Sequence, residues 1–482
     1  MNNRKSDDGT SSAMPGDGPL TTLEKEIADR MDAGEISPLQ FRIIFICTLL
    51  AILDGYDFAS MGLAVPLITH EWKIAAGAFG APLSAVWIGV ATGSIVFGWL
   101  GDRIGRKPVV IASATVIGLA SLGTITSPDL TVMTLWRFLL GVAFGAGLPN
   151  IYALVADVVP ARRRIFCMTL LTAATSIGGI LGGLVAPSLS AWLGWKGIFL
   201  AGGVLPLLLA LFMIFLLKES PKVLAARHRM QELYSVLAAF RLSNRDLPET
   251  RAGAAVKMSR PIELLQNGLW FVTACYLFGW ICSGMTFYMV ANWMPTLLIN
   301  SGWSGATAQR SITLIYAGCM VGGLCLSWIM DRWSHGLFAP AIGYGTSVIL
   351  FIAAGYWFTS SAIHMILVGL GLAIGGAQYV LPALAARIYP ARLLATALSW
   401  IGALARVGGI CGPLVGGWML LSGWSPTRIM ITLSVAPLLS TLAFVALAVA
   451  MARRSDAAMS QAVPKRNEGR PVEVKAMAES AS

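Results

Sequence analysis

Twelve apolar runs, each near the ~20 residues needed to cross a bilayer, alternate with short charged turns along this chain. Their approximate limits are 41–66, 80–100, 108–126, 132–154, 166–190, 196–217, 268–295, 306–330, 337–359, 361–385, 393–421 and 427–450. The hydrophobic fraction is 56% and the charged fraction 12%, against ~25% charge in a usual soluble domain. A soluble fold of this length could not hide that much apolar surface. The expected fold is therefore all-α, a polytopic membrane protein with twelve transmembrane helices. The 51 glycines suit close helix packing in lipid.

The turns differ in charge by side. Arg103, Arg106, Lys107, Arg162, Arg163, Arg164, Arg332, Arg387 and Arg392 fall on one side, and only Lys73, Lys196, Arg310 and Arg428 on the other. The basic side is expected to be cytoplasmic, with both termini there. The net charge of +11 is this loop bias and not a nucleic-acid face. The seven cysteines all sit in apolar spans with no C-x-x-C pair, so neither metal nor redox chemistry is expected. Residues 1–40 are polar and show no cleavable signal. Thr21-x-x-Glu24 reads as a capping box opening an amphipathic helix to about Met31 on the cytoplasmic surface.

Residues 218–267 carry nine Lys/Arg against five Asp/Glu and no continuous apolar span, which marks a cytoplasmic linker. The expected organisation is a cytoplasmic segment 1–40, a six-helix bundle 41–217, the linker 218–267, a second bundle 268–450 and a disordered cytoplasmic tail 451–482. The bundles repeat each other. Asp102-Arg103 recurs 229 residues on as Asp331-Arg332, and Gly194-Trp195 as Gly423-Trp424. Val159-Pro160-Ala161-Arg162 recurs 230 residues on as Tyr389-Pro390-Ala391-Arg392, and Gly178-Gly179-Ile180-Leu181-Gly182 as Gly408-Gly409-Ile410-Cys411-Gly412. An even number of helices per repeat makes the two halves parallel.

The turn Gly98-Trp-Leu-Gly-Asp-Arg-Ile-Gly-Arg-Lys107 is dense in charge between two apolar spans. Its pattern, G-x-x-x-D-R-x-G-R-K, resembles the loop between helices 2 and 3 of major facilitator superfamily transporters. The second copy is degraded, with Ser327, Ser334 and His335 at the positions of Gly98, Gly105 and Arg106. The resemblance implies a gating role for Asp102, with Arg103, Arg106, Asp157, Asp331, Arg332 and Arg392 around it. The simpler reading is that Asp102 and Arg103 cap helices in a tight turn. A cap present in only one conformer is also a switch.

Asp54-Gly-Tyr-Asp57 lies near the middle of the first span, with both carboxylates on one helix face. A charge at bilayer depth costs at least ~2.5–3.5 kcal/mol on insertion scales, and like charges this close resist being charged together. Both facts point to a proton site; a structural pairing with a neighbouring helix is the other reading. The matching stretch of the seventh span, Ser283-Gly-Met-Thr286, has no acid.

With Arg137-x-x-x-Gly141, Leu148-Pro149-Asn150, Asn292-Trp293-Met-Pro295 and Ala405-Arg406-Val407-Gly408, the D-G-x-D motif makes residues 37–450 resemble the aromatic acid:H+ symporter family. The resemblance implies that Arg137 takes part in proton transfer with Asp54 and Asp57; snorkelling to the interface is the alternative. Arg406 lies near the midplane, where its planar guanidinium suits a carboxylate. In this fold helices 1, 4, 7 and 10 flank the central path, which adds Tyr288, Gln378, Tyr379 and Asn150 as candidate substrate contacts. Two positions depart from the family pattern. Asp157 stands where glutamate is usual, and Leu394 where an arginine is common, two residues after Arg392.

The expected function is proton-coupled uptake of an aromatic carboxylate, such as a hydroxybenzoate or a vanillate-like acid, across the bacterial inner membrane by alternating access. The expected partners are that acid, protons and the lipid bilayer. No enzyme activity, metal or cofactor is expected. An efflux antiporter is the rival, on the strength of Gly408-Gly-Ile-Cys-Gly-Pro413, and a non-transporting membrane sensor ranks below it.

Overall fold

The computed structural model describes residues 22–97, 100–242, 261–266, 268–333 and 336–462. Twelve helices are long and apolar enough to cross a membrane. Spans 1–6 are Pro38–Trp72, Ala76–Phe97, Arg106–Ile125, Leu130–Val158, Ala161–Leu193 and Trp195–Leu216. Spans 7–12 are Trp270–Asn300, Gly305–Arg332, Gly336–Tyr356, Ala362–Ile388, Thr396–Leu421 and Pro426–Arg454. Helices are the expected answer, because lipid offers no partner for a backbone N–H or C=O. The chain is a multi-pass membrane protein.

Local chemistry sets the helix ends. Ser37 and Gln40 form a reciprocal capping box at the start of span 1, with Ser37 N–H donating to Gln40 Oε1 at 2.7 Å. Asp129 caps span 4 by accepting from Val132 N–H at 2.9 Å. The repeated Gly-Trp pairs end spans 5 and 11 in the same way: Gly194 has φ +61° and Gly423 φ +70°, a conformation that glycine adopts without a Cβ penalty.

The repeat seen in the sequence is also a packing repeat. Spans 1 and 5 meet at Gly178, where a Cβ would fall 1.9 Å from the Ile52 carbonyl oxygen. Spans 7 and 11 meet at its mate Gly408, where a Cβ would fall 2.1 Å from the Ile281 oxygen. Spans 2 and 4 interlock through Gly89 and Gly141, and spans 8 and 10 through Gly318 and Gly371. Span 10 relaxes into a π-helical turn at Gly371–Gly375, and such turns often occur at functional sites.

The halves meet through spans 2 with 11 and spans 5 with 8. Ser84 Oγ donates to the Ile410 oxygen at 2.8 Å, and its repeat mate Thr313 Oγ1 donates to the Ile180 oxygen at 3.0 Å. Trp87 lies flat over Gly409, and its mate Tyr316 lies over Gly179. These contacts sit away from the end that bears the 98–107 turn, which we call the near end. At the far end the repeat breaks. Gly77 and Gly417 bring spans 2 and 11 into backbone contact. Their mates Ala306 and Pro187 instead line a cavity of about 180 Å³ between spans 5 and 8.

Two expectations change, and the linker gains structure. The amphipathic helix runs Thr22–Ala33 and does not simply lie on a surface. Ile27 and Met31 are buried with Leu233, Leu237 and Phe240 of the linker, and Asp32 accepts from Ala161 N–H at the start of span 5 at 2.5 Å. Thr21 of the expected capping box lies outside the described residues. The linker forms two helices, Pro221–Ala226 and Met230–Ala239. The last helix runs on to Ala462, past residue 450, where the tail was expected to begin. Residues 463–482 lie outside the described ones.

The glycine contacts give a direct test of packing. Gly178→Ala and Gly408→Ala should each destabilise the protein by ~1–3 kcal/mol through overpacking. Gly305→Ala, with nothing within 4 Å of the added methyl, should be close to neutral. Thermal unfolding of the detergent-purified protein measures all three.

Candidate functional site

Asp54 and Asp57 are both buried in span 1, at 1% and 0% exposure. Gly55 between them does not open the backbone to a ligand. A Cβ there would sit 1.9 Å from the Thr175 oxygen, so span 5 lies directly on it. Asp57 faces spans 3 and 4. Ser121 Oγ donates to its Oδ1 at 3.0 Å, and Arg137 Nη2 donates to its backbone oxygen at 3.3 Å. Arg137 is 1% exposed and lies over the Phe199 ring at 5.5 Å, so it does not snorkel. Asp57 Oδ2 and the Nε and Nη1 of Arg137 have no hydrogen-bond partner among the described residues. Asp54 also has an unpartnered oxygen. It faces Tyr152, whose hydroxyl pairs with Thr172 at 3.1 Å.

Beside Arg137 a narrow cavity of about 10 Å³, room for one water in this conformer, lies between the halves. The first half supplies Phe58, Leu83, Val86 and Trp87, and the second supplies Tyr288, Ala291, Asn292 and Tyr316. Phe58 stacks between Trp87 at 5.1 Å and Phe144 at 4.5 Å, both at 18°. Trp87 meets Tyr288 across the halves at 4.0 Å. The walls are aromatic, and Arg137 supplies a cation with unused donors. This chemistry fits a ring that bears an anion.

Arg406 stands midway along its helix Ala391–Leu421. Its Nη1 donates to Ser94 Oγ at 2.6 Å and to the Val90 oxygen at 3.3 Å, both on span 2 of the other half. It also lies within electrostatic reach of Tyr288. Gln378 reaches Ser283 Oγ at 3.3 Å, and Tyr379 hydrogen bonds Ser176 across the halves. Of these four candidates Tyr288 lines the cavity, while Gln378, Tyr379 and Arg406 lie outside its lining. Asn150 does not join them: it donates to the Ala146 oxygen of its own helix and packs against Gly101 in the near-end turn.

Among the described residues, Asp157 and Asp331 find cations within their own halves, and the linker's Glu219, Ser220 and Lys222 join the first of these clusters. Arg106 bonds Asp157 and the Ala153 oxygen. Asp157 also takes Ser220 Oγ at 2.5 Å and Lys222 at 3.3 Å. Glu219 accepts from the N–H groups of Arg106 and Lys107 at the start of span 3. In the second half Asp331 meets Arg387 at 3.4 Å, and Arg332 lies over Trp328 at 5.0 Å. Arg103 is exposed. The side chains of Asp102 and Arg392 lie outside those described.

Sequence reasoning did not single out Phe58, Trp87, Ser121 or the Glu219-Ser220-Lys222 cluster. Trp87 was within reach, because the 229-residue offset pairs it with Tyr316. Ser121 was not, since nothing along the chain shows which serine faces Asp57. No group of three or more His, Cys, Asp or Glu suited to a metal occurs among the described residues.

Residues 47–382 match the model of the Major Facilitator Superfamily. A 4-hydroxybenzoate transporter of Pseudomonas aeruginosa is 31% identical over 436 residues, covering 86% of this chain and 93% of the relative. A gallate transporter of Pseudomonas putida is 31% identical over 445 residues, covering 90% and 96%. Among solved structures, a D-xylose–proton symporter superposes with a TM-score of 0.65 at 18% identity, covering 84% of this chain and 97% of that one.

The near-end cluster has a measurable energy. Asp157→Ala leaves Arg106 and Lys222 without their carboxylate and should cost ~3–5 kcal/mol, the usual penalty for breaking a buried pair. Asp157→Glu keeps the charge and should cost less. The melting temperatures of the purified variants check the order.

Proposed function

The chain belongs to the Major Facilitator Superfamily, and we propose that it carries an aromatic carboxylate into the cell together with a proton, by alternating access. The observation that carries this reading is the membrane-buried set of Asp57 and Arg137, with unpartnered polar atoms, beside an aromatic-walled cavity. Relatives at 31% identity over most of their length are named for 4-hydroxybenzoate and gallate, each a ring with one carboxylate.

In this reading the contact of Trp87 with Tyr288 parts as the halves rearrange, the ring is received among Phe58, Trp87 and Tyr288, and its carboxylate meets the free donors of Arg137. A carboxylate on Arg137 competes with Asp57 for the same cation. The two acids of span 1 then hold and release the coupled proton as that competition changes. Arg406 is the second cation at the centre. In this conformer it ties span 11 to span 2, and it turns to the substrate when the halves rearrange.

The basic near end is assigned to the cytoplasm. The halves touch from their middle to the far end, so this conformer faces inward. The glycines that prompted an efflux reading, Gly408 to Gly412, pack span 11 on span 7, and Gly178 does the same for spans 5 and 1. Packing accounts for that motif without antiport.

Asp54→Asn and Asp57→Asn should each abolish uptake driven by a pH gradient, because an amide releases no proton. At least one should still exchange internal for external substrate, a process without net proton movement. Vesicles loaded with labelled 4-hydroxybenzoate measure both, and normal pH-driven accumulation in the two variants would falsify the proton-site assignment. One monoanion entering with one proton moves no net charge, so uptake should ignore voltage; each extra proton adds ~2.3 kcal/mol per 100 mV.

A further inference from the structure

Four buried tyrosines have satisfied hydroxyls. Tyr56 donates to the Ile198 oxygen and Tyr276 to the Leu381 oxygen, each at 2.8 Å; Tyr344 pairs with Ser283 at 2.5 Å, and Tyr389 donates to Thr273 at 3.0 Å. Tyr316 differs. It is 7% exposed, lines the central cavity, and its hydroxyl makes no hydrogen bond among the described residues. The neighbouring hydroxyls of Tyr288 and Tyr379 are engaged with Gln378 and Ser176.

Packing does not explain the phenol. The ring of Tyr316 is held over Gly179, where a Cβ would come within 2.5 Å of it, and edge-on to Phe287 at 5.9 Å. Its repeat mate Trp87 makes the same flat contact with Gly409 and carries no hydroxyl. The seam between the halves therefore needs an aromatic plane at this position, and the hydroxyl is an addition to it.

We propose that Tyr316 is a specificity residue whose phenol hydrogen bonds a meta or para hydroxyl on the ring of the transported acid, so that the site favours ring-hydroxylated aromatic acids over the bare ring. The inference rests on the aromatic-acid reading above and deepens it. The cavity has its cation, Arg137, in the wall of one half and the free phenol in the wall of the other. A ligand with a carboxylate and a ring hydroxyl can use both. An ortho hydroxyl is spent on its own carboxylate. A site built to hydrogen bond a substrate hydroxyl discriminates strongly against the analogue that lacks it.

The test is uptake of labelled benzoate, 4-hydroxybenzoate, 3-hydroxybenzoate and 4-methylbenzoate in cells lacking their own carriers. The wild-type protein should take up the two hydroxybenzoates with a higher kcat/KM than benzoate. Tyr316→Phe should lower that preference about tenfold, the loss of one hydrogen bond of ~1.4 kcal/mol. The methyl acid can neither donate nor accept, and the wild type should handle it like benzoate; this arm needs no variant to fold. An unchanged ratio in Tyr316→Phe, an equal loss for all acids, or a methyl acid carried as well as the hydroxy acid each overturns the proposal. If the wild type carries no aromatic acid at all, the functional reading fails first and this inference falls with it.

Discussion

The close approach of helix backbones at paired glycines is the contact on which the rest of this structure depends. In lipid there is no hydrophobic gain in bringing two apolar helices together, so van der Waals fit has to hold them. Gly179 and Gly409 do this across the two halves and at the same time set the planes of Tyr316 and Trp87. Those two aromatics are walls of the central cavity. The seam that joins the halves and the surface a ligand would touch are thus built from the same residues. Any rearrangement of the halves must move the cavity walls with them.

On this repeated scaffold the charges are not repeated. Asp54 and Asp57 correspond to Ser283 and Thr286, and Ser283 is spent on Tyr344 and Gln378. The mate of Arg137 is Leu367, buried in the apolar core of the second half. Arg406 corresponds to Ser176, which bonds Tyr379. A buried charge costs several kcal/mol in a bilayer, and an apolar or hydroxyl mate shows that the fold does not require one at that place. The scaffold is therefore separable from the chemistry. Glycines, Gly-Trp turns and Ser84/Thr313 contacts recur, while acids and arginines occur once.

Much of this was legible in the chain. Period and length place twelve spans, and four matches at an offset of 229 or 230 residues establish two halves. The insertion cost alone singles out Asp54, Asp57, Arg137 and Arg406. What stayed hidden was facing. Asn150 is a polar residue on a span expected to flank the path, yet it turns to Gly101, because the near-end turn brings a glycine against it. Gly55 between the two acids is a seat for Thr175 of span 5, a contact that nothing along the chain reveals. The N-terminal helix has the apolar stripe of a surface-lying helix, but linker helices far along the chain cover that stripe. An amphipathic pattern tells which face is buried and not what buries it.

The two ends of the bundle solve opposite problems with different chemistry. At the far end and the middle, apart from Arg406 on Ser94 and the Val90 oxygen, the halves hold each other by neutral contacts, such as a serine or threonine hydroxyl on a carbonyl and a ring on a glycine. Each is worth only about 0.5–1.5 kcal/mol net, and no charge has to be stripped of water to break one. At the near end the described charges are strong but point inward to their own half: Arg106, Ser220 and Lys222 on Asp157, Arg387 on Asp331. Strong bonds within a half make it a rigid body, and weak bonds between halves let two rigid bodies part. A chain with ion pairs across the seam and neutral contacts within each half would have the reverse property. It would hold one conformer and deform inside each bundle instead of between them.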